Sequence, residues 1–344
     1  MHILIVGADS NYAIERSYLK YLSQIKEITH VSFFTAQNQF LAYYNKSTFH
    51  KVIYRSGFSS ILTRINKELV GTINENEPDV IFVFKGMEIF QETLKWIRKK
   101  GVKLVNYNPD NPFVFSGKGS GNKNITQSIG LYDLHFTYDT DVKHRIEKEF
   151  GIRSVILPFG FDLSQELFET CQQQEETMKV CFLGSPDIHR ASFINDLAKR
   201  NISIDVYGKG WNKFLNNKNI EMYDAVYSDS FWKILRIYRV QLNLMRPHNL
   251  RSHNMRTFEI PGVGGIQLAP DTLDHRTYFT PNKEIYLFNS LVECSNKILE
   301  LLSLSPAIAK AIRHAARERS MSSAYTYKHR VHQVFEELSI LVNG

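Results

Sequence analysis

Arg256 and Glu259 stand three residues apart, so one helical turn puts a guanidinium and a carboxylate on the same face. They belong to the segment Asn254-Met255-Arg256-Thr257-Phe258-Glu259-Ile260-Pro261-Gly262-Val263-Gly264-Gly265, which breaks at Pro-Gly and leads into apolar Ile266-Gln267-Leu268. An arginine at a helix start suits a phosphate. A carboxylate one turn later suits the paired hydroxyls of a ribose. The segment reads as a clamp for a nucleotide diphosphate. The same residues also fit an ordinary capped helix with a surface ion pair and a glycine C-terminus.

Other loops carry compatible chemistry. Gly184-Ser185 follows the apolar run Val180-Cys181-Phe182-Leu183, and backbone N–H groups at such a turn can face a pyrophosphate. Tyr207-Gly208-Lys209 ends another apolar run, where glycine permits close approach and the aromatic ring can stack on a base; a plain glycine turn beside a core aromatic fits equally. His248, Arg251, His253 and Asn254 form a polar loop placed to touch phosphates, and His253 and Asn254 join the expected donor-binding set. Removal of a proton from an attacking hydroxyl needs a carboxylate or histidine. Asp110, between two prolines in Asn108-Pro109-Asp110-Asn111-Pro112, is the first choice, then Asp9, then His135. An Asx turn at Asp110 and a helix cap at Asp9 are the structural alternatives. The chain lacks a Walker motif, GxGxxG, HExxH and GxSxG, which weighs against P-loop, dehydrogenase, zinc-protease and serine-hydrolase chemistry. No metal site is expected.

These loops need a scaffold that brings strand ends together. His2 to Val6 before Gly7, and Lys179 to Leu183 before Gly184, each look like the first strand, turn and helix of a doubly wound sheet. Further strands are expected at 31–34, 80–84, 103–106, 133–137 and 154–157, then at 202–207, 240–244, 265–268 and 284–287. Short apolar strands alternating with helices imply parallel sheets covered on both faces. A long loop, 106–124, interrupts the first half and includes Gly117-Lys118-Gly119. The polar, glutamine-rich stretch 162–178 reads as a linker. The expected division is a first Rossmann-like domain over 1–165, a second over 166–322, and a C-terminal helix over 323–344 that packs back toward the first.

With 344 residues, 43% hydrophobic and 22% charged, the chain is globular. Three cysteines, Cys171, Cys181 and Cys294, show no paired spacing, which fits a reducing cytoplasm. Met1 to Gly7 reads as a buried strand, not a signal sequence. The net charge of +7 favours anionic ligands. Its basic clusters near 95–103 and 313–330 read as solvated helix faces, with an anionic membrane surface as the functional alternative; nucleic acid is not expected.

The ordered set Val180 to Ser185, Val206 to Trp211, and Arg256 to Glu259 with Gly264-Gly265 resembles the CgeB-like (spore-protein-like) glycosyltransferases, a GT-B group. The resemblance covers about 178–340. It implies an α/β GT-B fold, two Rossmann-like domains facing each other across a cleft. It also implies a nucleotide-diphosphate-sugar donor, such as a UDP-sugar, on the second domain. The acceptor (glycan, lipid-linked sugar or protein) would lie against the first, and no cofactor or metal would be needed. Gly184 and Ser185 then lie near the diphosphate, Tyr207, Gly208 and Lys209 near the base, Arg256 at phosphate and Glu259 at ribose. Many retaining members carry a second glutamate eight positions before the first; Arg251 stands there, which tilts the reading toward inversion. A GT-B nucleotide-sugar epimerase or hydrolase, or a catalytically idle surface-glycan or spore-coat relative, are the alternative readings.

Overall fold

The computed structural model describes residues 1–115, 120–247 and 251–344. Gly117-Lys118-Gly119 and His248 therefore lie outside the described residues. The chain forms two compact units, Met1–Pro158 with Tyr327–Gly344, and Phe159–Thr326.

The first unit is built on six strands: β1 (His2–Val6), β2 (His30–Phe34), β3 (Val80–Phe84), β4 (Lys103–Tyr107), β5 (Leu134–Thr137) and β6 (Ser154–Ile156), in the order β2-β1-β3-β4-β5-β6. All pairs are parallel. Every residue of β3, Val-Ile-Phe-Val-Phe, is buried, as a parallel strand covered on both faces requires. The terminal helix Tyr327–Asn343 packs on the helix Ile14–Leu22, with the rings of Tyr18 and Tyr327 5.8 Å apart.

The second unit repeats the plan with β7 (Thr177–Leu183), β8 (Ile204–Tyr207), β9 (Ile220–Tyr223), β10 (Tyr238–Leu242), β11 (Gln267–Pro270) and β12 (Tyr286–Phe288), ordered β12-β11-β10-β7-β8-β9 and also parallel. β9 was not expected from the sequence. It is an edge strand, Ile-Glu-Met-Tyr, with three of its four residues exposed, so it carries no apolar run.

The stretch read as a linker is part of the second unit's core. Ser164 caps the helix Gln165–Gln172 by accepting the Leu167 N–H. Cys171 of that helix is fully buried against Leu235, Ile260 and Val263. Its glutamine and glutamate side chains have buried partners. Gln172 donates to the Val263 carbonyl and accepts from Arg236. Glu176 accepts from both Arg239 and Arg313. The basic run expected to be solvated is likewise turned inward at its start: Arg313 is 5% exposed. Arg313 also donates to the carbonyls of Arg236, Tyr238 and Gly264, and Arg317 donates to the Gly262 carbonyl.

Removing Glu176 leaves two buried guanidiniums short of their carboxylate. Because Glu176 is itself a quarter exposed, Glu176→Ala should destabilise the second unit by about 3 kcal/mol, the lower end for breaking a buried pair. Urea denaturation measures this. A loss below about 1 kcal/mol would mean that carbonyl partners alone satisfy the arginines.

Candidate functional site

In both sheets the chain reverses its direction of strand addition once. Such a switch point opens a crevice at the carboxyl ends of two strands. In the second unit the switch lies between β7 and β10, and the expected loops converge there. The Arg256 Nε donates to the Leu183 carbonyl at the end of β7, and the Arg256 guanidinium pairs with the Glu259 carboxylate on the helix Arg256–Gly262. Arg256 also lies over the Phe231 ring, 4.5 Å from its centroid. Glu259 is 6% exposed. Burial raises its pKa, and the Arg256 charge opposes that shift. A Cβ on Gly208 would sit 2.3 Å from the Gly184 carbonyl oxygen, so glycine is what allows these two loops to touch.

Several expected ligands are instead structural. The Gly184 N–H is donated to the Tyr207 carbonyl, and its own carbonyl accepts from Trp211 Nε1, so that amide is not aimed at an anion. Tyr207 does not offer its ring to a base: it is buried, stacked on Tyr223 at 4.7 Å and hydrogen-bonded to Tyr238. His253 is fully buried among Phe159, Phe258 and Tyr278, with Nδ1 2.7 Å from Asp274 Oδ2. Asn254 accepts the Thr257 N–H and donates to Asn243, ordering the start of the Arg256–Gly262 helix. Lys209 is exposed in the turn after β8, and Ser185 lends its carbonyl to Arg190.

Two arginines absent from the expected set complete the cluster. Arg190 donates through Nε and Nη2 to the Leu244 carbonyl, joining the loops after β7 and β10. Its pKa falls to about 10, first because it is buried; the Asp187 carboxylate, 3.4 Å away, opposes the shift, and the positive charges of Arg246 and Arg256 add to it. Three guanidiniums thus share one strand-end crevice, an arrangement that favours an anion. Arg246 lies in the loop that leaves β10, three residues intervening, the placement that could have flagged it. Arg190 lies in the helix that follows the turn after β7, and no sequence signal marked it.

In the first unit the switch lies between β1 and β3, and carboxylates gather there. The Glu15 Oε1 accepts the Ala8 N–H after β1. Gly7 makes room for it, since a Cβ there would lie 2.8 Å from Glu15 Oε1. After β3, Lys85 takes a left-handed backbone, φ 63°, and its Nζ is 2.6 Å from Asp110 Oδ2. The Asx turn here is made by Asn108, whose Oδ1 accepts the Asp110 N–H, and not by Asp110 as expected, because Pro112 two residues on has no N–H to donate. Burial raises the pKa of Glu15, and raises that of Glu88 to about 7. Each carboxylate is within electrostatic reach of Lys85. Asp110 thus sits in a carboxylate and lysine cluster of which the sequence reading named only one member. The signal was available, because Lys85 directly follows the wholly apolar strand β3 and Glu88 stands in the turn after it. Asp9 is more exposed and tied to Arg16 at 2.6 Å. His135 is not a base: it is buried in β5, donates Nε2–H to the Ile129 carbonyl, and has its pKa pushed down to about 4 by burial.

Residues 190–336 match the family described as Glycosyl transferase-like. None of the curated proteins matches the chain. Among solved structures, sucrose-phosphate synthase from Thermosynechococcus elongatus is similar with a TM-score of 0.70 at 10% identity, over 99% of each chain. Anabaena HepE in complex with UDP-glucose gives 0.67 at 14% identity, over 98% of this chain and 99% of the other. The UDP-GlcNAc 2-epimerase from Neisseria meningitidis bound to UDP-GlcNAc gives 0.57 at 13%, over 98% and 99%. The likeness is one of fold, and the fold is GT-B.

Glu88 yields a pH test. Its folded pKa, about 7, lies above the ordinary glutamate value, so its contribution to stability is complete below about pH 4.3 and is lost as pH rises through about 7. Glu88→Gln should therefore match the parent near the low end and exceed it by on the order of 3 kcal/mol above pH 8. Denaturant melts across that range measure the difference. A variant no more stable than the parent at pH 8 would remove the buried-carboxylate assignment.

Proposed function

We propose that this GT-B chain, with its glycosyl transferase-like domain, moves a sugar from a nucleotide-diphosphate sugar to a hydroxyl acceptor. The single observation that carries the reading is that Arg256 reaches the Leu183 carbonyl and Arg190 the Leu244 carbonyl at the β7/β10 strand ends, with Arg246 in electrostatic range of Arg190. Arg246 and Arg256 offset the charge that builds on the departing diphosphate, which is the role a metal would otherwise fill. Arg190 holds the two loops in register. Glu259 accepts from ribose hydroxyls; its contact with Arg256 leaves acceptor capacity, since a carboxylate has about four lone-pair sites. Gly208 lets the loops after β7 and β8 meet at the crevice, and Lys209 lies beside it. UDP is the first nucleotide to test, because HepE carries UDP-glucose in its solved structure.

The acceptor belongs to the first unit. In a single displacement the acceptor oxygen bonds to the anomeric carbon, the bond to the diphosphate oxygen breaks, and the acceptor proton passes to a carboxylate. Asp110, oriented by Lys85 and by the Asn108 turn, takes that proton. Glu88 is the second choice, with a pKa near the working range. Inversion at the sugar follows from one displacement. The narrower kinship with CgeB-like enzymes rests on the ordered motifs of the second unit. A reducing, cytoplasmic setting accords with three free cysteines. An epimerase reading draws on the likeness to UDP-GlcNAc 2-epimerase; product formed without any acceptor would favour it.

Arg246→Met and Arg256→Met should each weaken UDP binding roughly ten- to a hundredfold, the cost of a charged hydrogen bond. Calorimetric titration reads this, and parental affinity in both would reject the donor site. Asp110→Asn should lower turnover by about 10²–10⁴ while UDP affinity holds. Near-parental turnover would transfer the role to Glu88.

A further inference from the structure

The helix Thr48–Arg55 contains no buried residue. It lies between β2 and β3, joined to the helix Ala36–Tyr44, and its outer face is apolar where solvent should meet it. Phe49 and Val52, three residues apart on that face, are 67% and 57% exposed, and Phe58 just beyond the helix is 87% exposed. Leu41 on the preceding helix is exposed as well. Single exposed apolar residues are ordinary; a cluster on one short segment is not.

The charge around this cluster is one-sided. From Ile28 to Lys67 the chain has no aspartate or glutamate, although its average content would place about four there. The same stretch holds Lys46, Lys51, Arg55, Arg64 and Lys67. Two of these cations are seated on Tyr44: Lys51 Nζ lies over its ring at 5.7 Å, and Arg55 Nη2 donates to its hydroxyl at 2.9 Å. Tyr54 turns inward onto Phe40 at 4.8 Å. The inner side of the segment is thereby anchored, while Phe49, Val52 and Phe58 are exposed on a stretch whose charged residues are all cations, of which Arg64 is paired with Glu68 just beyond it.

We propose that residues 41–58 form a docking surface for a lipid bilayer that carries anionic headgroups. Apolar side chains would enter the acyl boundary and the cations would meet the headgroups, the division of labour of an interfacial helix. Charge decides the occupant. A second copy meeting this face isologously would oppose cation to cation. Among the described residues no helix is long and apolar enough to cross a membrane, so this contact is peripheral. The inference goes beyond the glycosyl-transfer reading and does not depend on it.

Co-sedimentation of the full chain with vesicles tests it, using phosphatidylcholine alone and phosphatidylcholine mixed with phosphatidylglycerol. Binding should occur on the mixed vesicles, be weak on the neutral ones, and fall as salt rises. Each cation near an anionic surface contributes about fivefold, so Lys46→Gln, Lys51→Gln and Arg55→Gln combined should reduce partitioning on the order of a hundredfold. Phe49→Ser with Phe58→Ser should reduce it at least tenfold. Lys95→Gln with Lys99→Gln, exposed cations on another helix, should leave it unchanged. All three sets should keep parental UDP affinity, and the phenylalanine and Lys95/Lys99 sets parental melting as well, which separates failure of docking from failure of the donor site. Equal binding to both vesicle types, insensitivity to the first two sets, or retention on nucleic acid without vesicle binding would overturn the proposal.

Discussion

Arg313 is the interaction on which the second unit depends. It is buried, and its guanidinium reaches the Glu176 carboxylate and the carbonyls of Arg236, Tyr238 and Gly264. Those partners come from the entry to β7, the entry to β10 and the turn after the helix Arg256–Gly262. A guanidinium has five N–H donors in a rigid plane, so one side chain sets the spacing of three segments. The turn is held from its other side by glycine: Gly264 has φ 75°, and a Cβ on Gly265 would lie 2.7 Å from the Leu235 carbonyl. Arg256 can reach the end of β7 because the far end of its helix is fixed in this way.

The two switch points have opposite electrostatics. In the second unit Arg190, Arg246 and Arg256 gather, with Glu259 buried against Arg256 and Asp187 3.4 Å from Arg190. In the first unit Glu15, Glu88 and Asp110 gather around a single lysine. One crevice suits departing negative charge and the other suits accepting a proton. A fold built twice from the same strand–turn–helix unit thus presents two chemistries, because the residues that follow equivalent strands differ.

Most of the scaffold was legible in the chain, and for a plain reason. A parallel strand covered on both faces must be apolar along its whole length, so β1, β3, β4 and β7 announce themselves. β9 did not, since an edge strand needs only one buried residue to be held. The stretch 162–178 was misread because polarity looks the same whether it meets water or buried arginines. Tyr207 illustrates the same limit: its place at a strand end was legible, while its stacking on Tyr223 depends on the neighbouring strand that the sequence concealed.

The sequence by itself determined the doubly wound plan, the pairing of Arg256 with Glu259 through helical spacing, and the strand-end position of Asp110. These rest on local geometry, which a few consecutive residues specify. Only the tertiary structure decided that Arg190 and Arg246 join Arg256, that Glu15 and Glu88 are buried beside Lys85, and that His135 and His253 are internal. Each of those facts depends on strands brought together from distant parts of the chain and on the loss of water around a charge. Neither can be read from residue spacing, because burial is a property of the assembled neighbours and not of the residue that is buried.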